Sequence, residues 1–444
     1  MSESMRDYYR DAFRTTVKTL PGVELPWLRS ARRHAFERFE TLGFPGTQLE
    51  AWKYTNVTAI AQPRWHFAPA HPAHADLGGI ANLVSDLVPE DAANRFVFVN
   101  GRYAPKLSRL ADLPEGAFVG SLRQAMREIP QRLQAVMARR EQQDGFAALN
   151  GAFLSDGYVV VLPPGCAIEA PLHVLFFADE AGLAMHPFNV VLAEQGARCS
   201  IVEQFAGVAD EAYFVNAATE IVADSEADVR HCRIQQEARS AFHIAQVDVS
   251  QQRASHFTSH SFAFGSALSR TQIATRLDAA DARADLNGLY LVGARQHVDH
   301  HTRIDHEQPR GTSREYYRGV LDGASHGVFD ARVIVHPDAQ QTDAHQGNDN
   351  LLLSRDAQID TKPQLEIHAD DVKCTHGATV GQLDENPLFY LRSRGLEERM
   401  ARALLVWAFA RVSVDRVESA ALRKRLTQLL LARLPGGEYL RELT

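Results

Sequence analysis

Gln195-Gly196-Ala197-Arg198, Ser225-Glu226-Ala227-Asp228, Gln252-Arg253-Ala254-Ser255 and Ala280-Asp281-Ala282-Arg283 are four short polar turns, each built around an alanine, and the alanines stand 27 to 30 residues apart. Strand-like runs flank them: Tyr158-Val159-Val160-Val161-Leu162, Val174-Leu175-Phe176-Phe177, Asn189-Val190-Val191-Leu192, and later Ala227 to Ile234, Leu286 to Val292 and Ala331 to Val335. β-Branched and aromatic residues bounded by turn formers are strand signals. No convincing long helix pattern separates these runs. A repeat of this period in an all-β stretch points to stacked coils, each covering the apolar face of the next. A large β-sandwich accounts for the same strands with two antiparallel sheets; the period favours the solenoid. On that reading Ala197, Ala227, Ala254 and Ala282 sit at or near coil corners.

The two ends of the chain read differently. Leu28, Ala31, Ala35, Phe36 and Phe39 recur at helical spacing and stop at Gly43-Phe44-Pro45-Gly46. Phe96-Val97-Phe98-Val99 reads as a short strand entering an Asn100-Gly101 turn, and a helical stretch fills roughly 120–142. Near the other end, Leu396, Met400, Ala403, Leu404 and Trp407 form one apolar face, and Leu422, Leu426, Leu429 and Leu430 another. Two such helices after a solenoid either cap its end or bind a partner.

The chain has 444 residues, enough for two or three structural regions, with 45% hydrophobic residues and a net charge of -8. Lys and Arg are mixed with Asp and Glu, so no basic stripe argues for nucleic acid. Met1 to Phe13 carries Glu3, Arg6, Asp7 and Arg10 and lacks the apolar segment of a secretory signal. The apolar run Ala403 to Ala410 is too short to span a bilayer. Together these predict a cytoplasmic protein. Cys166, Cys199, Cys232 and Cys374 form no Cys-x-x-Cys pair, and the first three read as small buried hydrophobes. There is no Gly-Lys dipeptide and hence no P-loop, and no His-Glu-x-x-His helix. The chain alone is not expected to hydrolyse ATP.

Two segments carry ligand chemistry. In His297-Val298-Asp299-His300-His301-Thr302-Arg303-Ile304-Asp305-His306, imidazoles and carboxylates crowd together, as a metal-dependent enzyme would need. On a strand, however, His300, Thr302, Ile304 and His306 share one face and His301, Arg303 and Asp305 the other. That division favours a polar ladder on a solenoid. In Asp371-Val372-Lys373-Cys374-Thr375-His376-Gly377, Cys374 and His376 point the same way on a strand. A thiolate and an imidazole together suit iron or a cluster. Two ligands do not close a site, so the rest must come from elsewhere, such as another subunit. A buried cysteine beside a hydrogen-bonded histidine is the plainer account.

A longer signature surrounds that pair. It runs through Leu351-Leu352-Leu353-Ser354, Pro363-Gln364-Leu365-Glu366-Ile367, Ala369-Asp370-Asp371-Val372, Cys374-Thr375-His376-Gly377-Ala378-Thr379-Val380-Gly381 and Leu388-Phe389-Tyr390-Leu391-Arg392-Ser393-Arg394-Gly395. Thr342-Asp343-Ala344, Asp299-His300-His301-Thr302, Asn150-Gly151-Ala152-Phe153, Leu49-Glu50-Ala51-Trp52-Lys53-Tyr54-Thr55 and Leu434-Pro435-Gly436-Gly437 extend it over most of the chain. This pattern resembles the SufB/SufD family of SUF iron–sulfur cluster assembly scaffolds. Leu391 after Phe389-Tyr390, and His376-Gly377-Ala378-Thr379-Val380-Gly381, resemble the SufD branch; SufB-type chains usually carry His-Glu-Ala and more cysteines.

The resemblance implies a mainly β fold, with a right-handed parallel β-helix core over 151–385. It implies an N-terminal helical or mixed region over 1–150 and a C-terminal helical ATPase-binding domain over 386–444. It implies a scaffold, not an enzyme, that pairs with a SufB-like paralogue through the β-helices and binds a SufC-like ATPase. Tyr390, Arg392, Arg394, Gly395, Met400, Leu404 and Trp407 are the expected ATPase dock. Deleting everything after about Gly395 is expected to abolish that binding and leave the β-core folded. Cys374 and His376 match the family positions near the SufB interface, where the histidine is implicated in building the nascent cluster with a SufB cysteine. The cofactor implied is a transient iron–sulfur cluster in the complex, with none held tightly by the isolated chain, which could instead form a homodimer. No nucleic acid or membrane is implied. A purely structural solenoid remains the second reading, and a metal-dependent enzyme using His297–His306 the third.

Overall fold

A computed structural model describes residues 2–67, 77–89, 92–140, 144–208 and 212–440. From Phe188 to Gly381 the chain passes alternately between two sheets, and each strand pairs in parallel with the strand one coil earlier. Sheet A ends in His297–His306, His326–Val335 and Gln358–Ile367; sheet B ends in Thr312–Leu321, Asp343–Leu352 and Lys373–Gly381. In sheet B, Arg198, Asp228, His256, Arg283, Thr312, Asp343 and Lys373 stand in one continuous register. Parallel ladders between successive coils are a solenoid, so the sandwich reading falls.

The corners explain the repeat, and all four alanines lie at or beside them. Ala197, Ala227 and Ala282 are buried just before the registered residues. Ser255, not Ala254, occupies that small buried position in its coil. Ala254 is the preceding residue and takes the left-handed conformation (φ +56°), as do Gly196, Glu226 and Asp281. A left-handed turn followed by a small residue is what the tight corner needs. Arg310 and Gln341 continue the left-handed row with ordinary side chains, so the later coils show no alanine signature.

Alternation within each strand fills the space between the sheets. Ile201, Phe205, Val229, Phe257, Leu286, Tyr290 and Tyr317 face inward from sheet B; Val247, Ile273, Ile304, Phe329 and Val333 face them from sheet A. Cys199 lies in this core, and burial pushes its thiol up to about 12. Cys232 is buried on the outer side of sheet B and Cys166 is half-buried.

The beginning of the solenoid is closed. Phe118–Ser121 adds antiparallel to Tyr158–Leu162. Asn94–Val99 joins sheet B beside Leu172–Ala178 and turns through Asn100 and Gly101, both at positive φ, into Arg102–Tyr103. Helices α1 (Glu3–Thr16), α2 (Pro26–Leu42) and α3 (Gly145–Phe153) join Trp52 and Trp65 in an aromatic cluster on the outer face of sheet A. Gly43 ends α2 at φ +62°. A Cβ on Gly145 would lie 1.7 Å from the Gly43 carbonyl oxygen, so that close crossing requires glycine. Asn150 latches α3 to the solenoid by donating to the carbonyls of Pro187 (2.9 Å) and Asn216 (2.7 Å). The helical stretch expected over 120–142 is two helices, Leu122–Glu128 and Pro130–Met137, because Pro130 forces Ile129 out of helical geometry. Residues 141 and 142 lie outside the described residues.

Three helices follow the last coil: α4 (Glu385–Ser393), α5 (Glu398–Asp415) and α6 (Ala420–Arg433). They do not cap the solenoid. Val406, Ala410, Val414, Leu422, Leu426 and Leu430 pack on the outer face of sheet B, against Phe262, Phe264, Leu289, Leu291, Val320 and Leu351. Ser413 donates to the Gly288 carbonyl at 3.1 Å and Arg318 to the Phe409 carbonyl at 2.6 Å.

Several histidines are buried inside this frame. Burial lowers His300 to about 3 and His306 to about 4, so both are neutral in the folded protein. The unfolded chain binds these protons near pH 6.5, so their contribution is complete above 6.5 and is lost as pH falls toward 4. Glu315, raised by burial to about 7, acts in the opposite sense: its contribution is complete below about 4.5 and declines as pH rises through 7. His300 lies between Tyr290, on which it stacks, and the tilted ring of Tyr317, with ring centroids at 5.4 and 5.3 Å. Phenylalanine there should keep the packing and remove the proton. Relative to wild type, His300→Phe is expected to gain about 2.7 kcal/mol between pH 7.5 and 4.5. Urea titrations at the two pH values check this.

Candidate functional site

The C-terminal end of the solenoid is open. Gln358–Ile367 and Lys373–Gly381 are the terminal strands of the two sheets, each paired on one side. Strand alternation carries the interior pattern one coil beyond its cover. Cys374, His376, Ala378 and Val380 stand in register on the buried Ala344, Gln346, Asn348 and Asn350. From sheet A, Ile359, Thr361, Pro363, Leu365 and Ile367 stand on Gly327, Phe329, Ala331, Val333 and Val335. These residues belong to the core by position, yet Ile367 and Val380 are 41% and 51% exposed. An uncovered inner face with two unpaired edges is a template for another strand layer. Pro363, which has no N–H, lies where an edge strand tolerates it.

Cys374 and His376 lie together on this face, as their spacing requires. Cys374 is half-buried against the core, and partial burial raises its thiol pKa. His376 is exposed. Among the described residues, no group of three potential metal ligands includes either, so this chain alone presents two donors.

The histidine-rich strand divides as alternation demands. His300, Thr302 and His306 are buried on the inner side. On the outer side Arg270 and Thr55 donate to Asp299, and His301 approaches it at 3.0 Å. Burial opposes ionisation of Asp299, but Arg270 and His301 hold the carboxyl far below its usual range. Arg270 also lies 3.9 Å from the Trp52 ring centroid. The Leu49–Thr55 strap is therefore clamped to sheet A by this strand, which gives the outer histidines and Asp299 a structural task. Asp305, Glu307 and His336 place three possible ligand atoms within 4.8 Å of one another. Arg303 already engages the Asp305 carboxylate at 2.7 and 2.9 Å.

The expected dock residues fall into two groups. Tyr390 is 57% exposed, and beside it Phe389, which sequence patterning alone did not single out as a contact, is 73% exposed. Arg394 lies over the Tyr390 ring at 5.2 Å, and Arg392 pairs with Glu398 at 3.4 Å. Gly395 ends α4 at φ +90°. Leu404 and Trp407, by contrast, are half-buried against Ala403, Leu431 and Leu440, and Met400 is half-buried. The apolar face of α5 is thus largely used within the chain.

A solenoid closed at one end and open at the other, with two soft donors on the open face, defines a scaffold that presents an edge. Residues 3–174 match the SufBD protein N-terminal region, and residues 176–409 match the SufBD core domain of SUF-system iron–sulfur cluster assembly. The chain is 32% identical to an iron–sulfur cluster assembly SufBD family protein of Synechocystis, over 93% of this chain and 92% of that one. It is 29% identical to the iron–sulfur cluster assembly protein SufD of Escherichia coli (92% and 93%) and 27% identical to a chloroplastic protein of Arabidopsis thaliana (95% and 88%). The chain belongs to the SufBD family of iron–sulfur cluster assembly proteins. Among the described residues no helix is long and apolar enough to cross a membrane.

Proposed function

We propose that this chain acts as the SufD-type subunit of a cytoplasmic SUF complex, and that its open end joins a SufB-like paralogue. Cys374 and His376 then supply donors to a transient cluster completed by the partner. The observation that supports this most is the last coil: core positions are laid out there without a cover, and both soft donors lie among them. The same edges account for a homodimer when the paralogue is absent.

Neutral imidazole is a competent iron ligand, and alanine supplies no donor. His376→Ala is expected to leave the complex assembled and to lower its anaerobic cluster yield on the order of tenfold. Cys374→Ala should do less if its thiol mainly packs. A wild-type yield from the His376→Ala complex would reduce the chain to a structural solenoid.

The ATPase is proposed to dock on α4, at Phe389, Tyr390 and Arg394. The exposed aromatic pair beside arginines has the composition of an interface centre. Tyr390→Asp is expected to weaken ATPase binding by about 2 kcal/mol or more without changing the melting temperature, since the side chain is solvent-facing. Titration calorimetry against a SufC-like ATPase measures it; unchanged affinity would place the dock elsewhere.

A further inference from the structure

The ladder position occupied by His376 can be followed down the solenoid. It holds Ile201, His231, Ser259, Leu286, Glu315, Gln346 and finally His376. Ile201 and Leu286 show that the position accepts an aliphatic side chain. The three coils nearest the open end instead carry a carboxyl, an amide and the imidazole. Gln346 donates from Nε2 to Glu315 Oε2 at 2.9 Å, with both side chains buried. Glu315 Oε1 and Gln346 Oε1 are buried without a hydrogen-bond partner, and so is the Thr302 hydroxyl. A buried carboxyl costs several kcal/mol unless it is satisfied. An unpartnered amide oxygen therefore lies one coil beneath an imidazole that has an N–H to give.

We propose that Gln346, braced by Glu315, is a positioning residue that accepts a hydrogen bond from His376 and so fixes the tautomer and orientation of the imidazole. The inference rests on the reading of His376 as a donor to a metal or cluster. A ligating histidine usually gives its second N–H to an oxygen acceptor, which sets which nitrogen is free for the metal and holds the ring. Here the acceptor comes from the neighbouring coil, and Glu315 holds its amide so that the oxygen is the free atom. Burial pushes the Glu315 carboxyl up to about 7, while the hydrogen bond from Gln346 acts to lower it. In either protonation state it can accept from Gln346 Nε2.

The test reads the imidazole directly. The full-length chain, labelled with 15N-histidine, is examined by NMR at pH 8, and the His376 signals are assigned by their loss in His376→Ala. Wild type is expected to show one bare and one protonated nitrogen. Gln346→Leu and Glu315→Leu should shift both signals toward the averaged values of a solvated imidazole. Glu315→Gln, which retains an acceptor, should restore the wild-type pattern. In the assembled complex, Glu315→Leu should lower cluster yield about tenfold, with Glu315→Gln near wild type. If neither leucine variant changes the His376 signals, the positioning inference is wrong. If the signals respond while cluster yield does not, the positioning stands and the cluster role of His376 falls.

Discussion

An arginine at position 365 or 380 is expected to abolish association with the SufB-like partner while leaving the chain folded. Leu365 and Val380 face the solenoid interior from opposite sheets, one coil beyond the last covered layer. In the isolated chain a long cationic side chain at Val380 can reach water, because Val380 is already half exposed. In a joined solenoid the same charge would be enclosed without a counter-charge. An unpaired buried charge costs about 3–5 kcal/mol, so affinity should fall on the order of a hundredfold or more. Analytical ultracentrifugation of the mixed subunits reads this. Wild-type association by both variants would show that the paralogue joins elsewhere.

Truncation after Gly395 is expected to destabilise the β-core, contrary to what the sequence alone suggests. Removing α5 and α6 would uncover Val202, Ile234, Phe262, Phe264, Leu289, Leu291, Val320 and Leu351 on sheet B. At roughly 1.5–3 kcal/mol for each fully buried side chain, the loss is comparable with the about 5–15 kcal/mol that holds a domain folded. The truncated chain should precipitate or bind a hydrophobic dye. A soluble product with a cooperative transition near that of wild type would show that α5 and α6 contribute little to the core. The Tyr390→Asp variant is for this reason the cleaner probe of ATPase binding.

The solenoid was legible because its corners recur and its strands alternate. Ala197, Ala227 and Ala282 fill the small buried corner position; Ala254 stands one residue earlier in its corner turn, where Ser255 meets the same demand for a small side chain. Division of His297–His306 between two faces also follows from the period of a strand. The clamp on its outer side was not legible. Trp52 and Arg270 lie far apart in sequence, and nothing local announces that the strap folds back on sheet A. Placement of the C-terminal helices was hidden for a related reason. An apolar helix face shows that something is covered, and Leu426 and Leu430 do not say whether it is the end or the side of the solenoid. The open end was the least legible feature. Ile359, Leu365 and Val380 have the composition of core strands; only the missing next coil makes them a surface. Gln346 beneath His376 depends on a register that spans 30 residues of chain.

The most direct test mixes the purified chain with a SufB-like paralogue and a SufC-like ATPase and isolates the product without oxygen. One complex containing all three subunits is expected, carrying iron and sulfide after reconstitution, and its assembly should be lost with arginine at position 365 or 380. A chain that stays apart from the other two, or a paralogue and ATPase that build the same amount of cluster without it, would contradict the account.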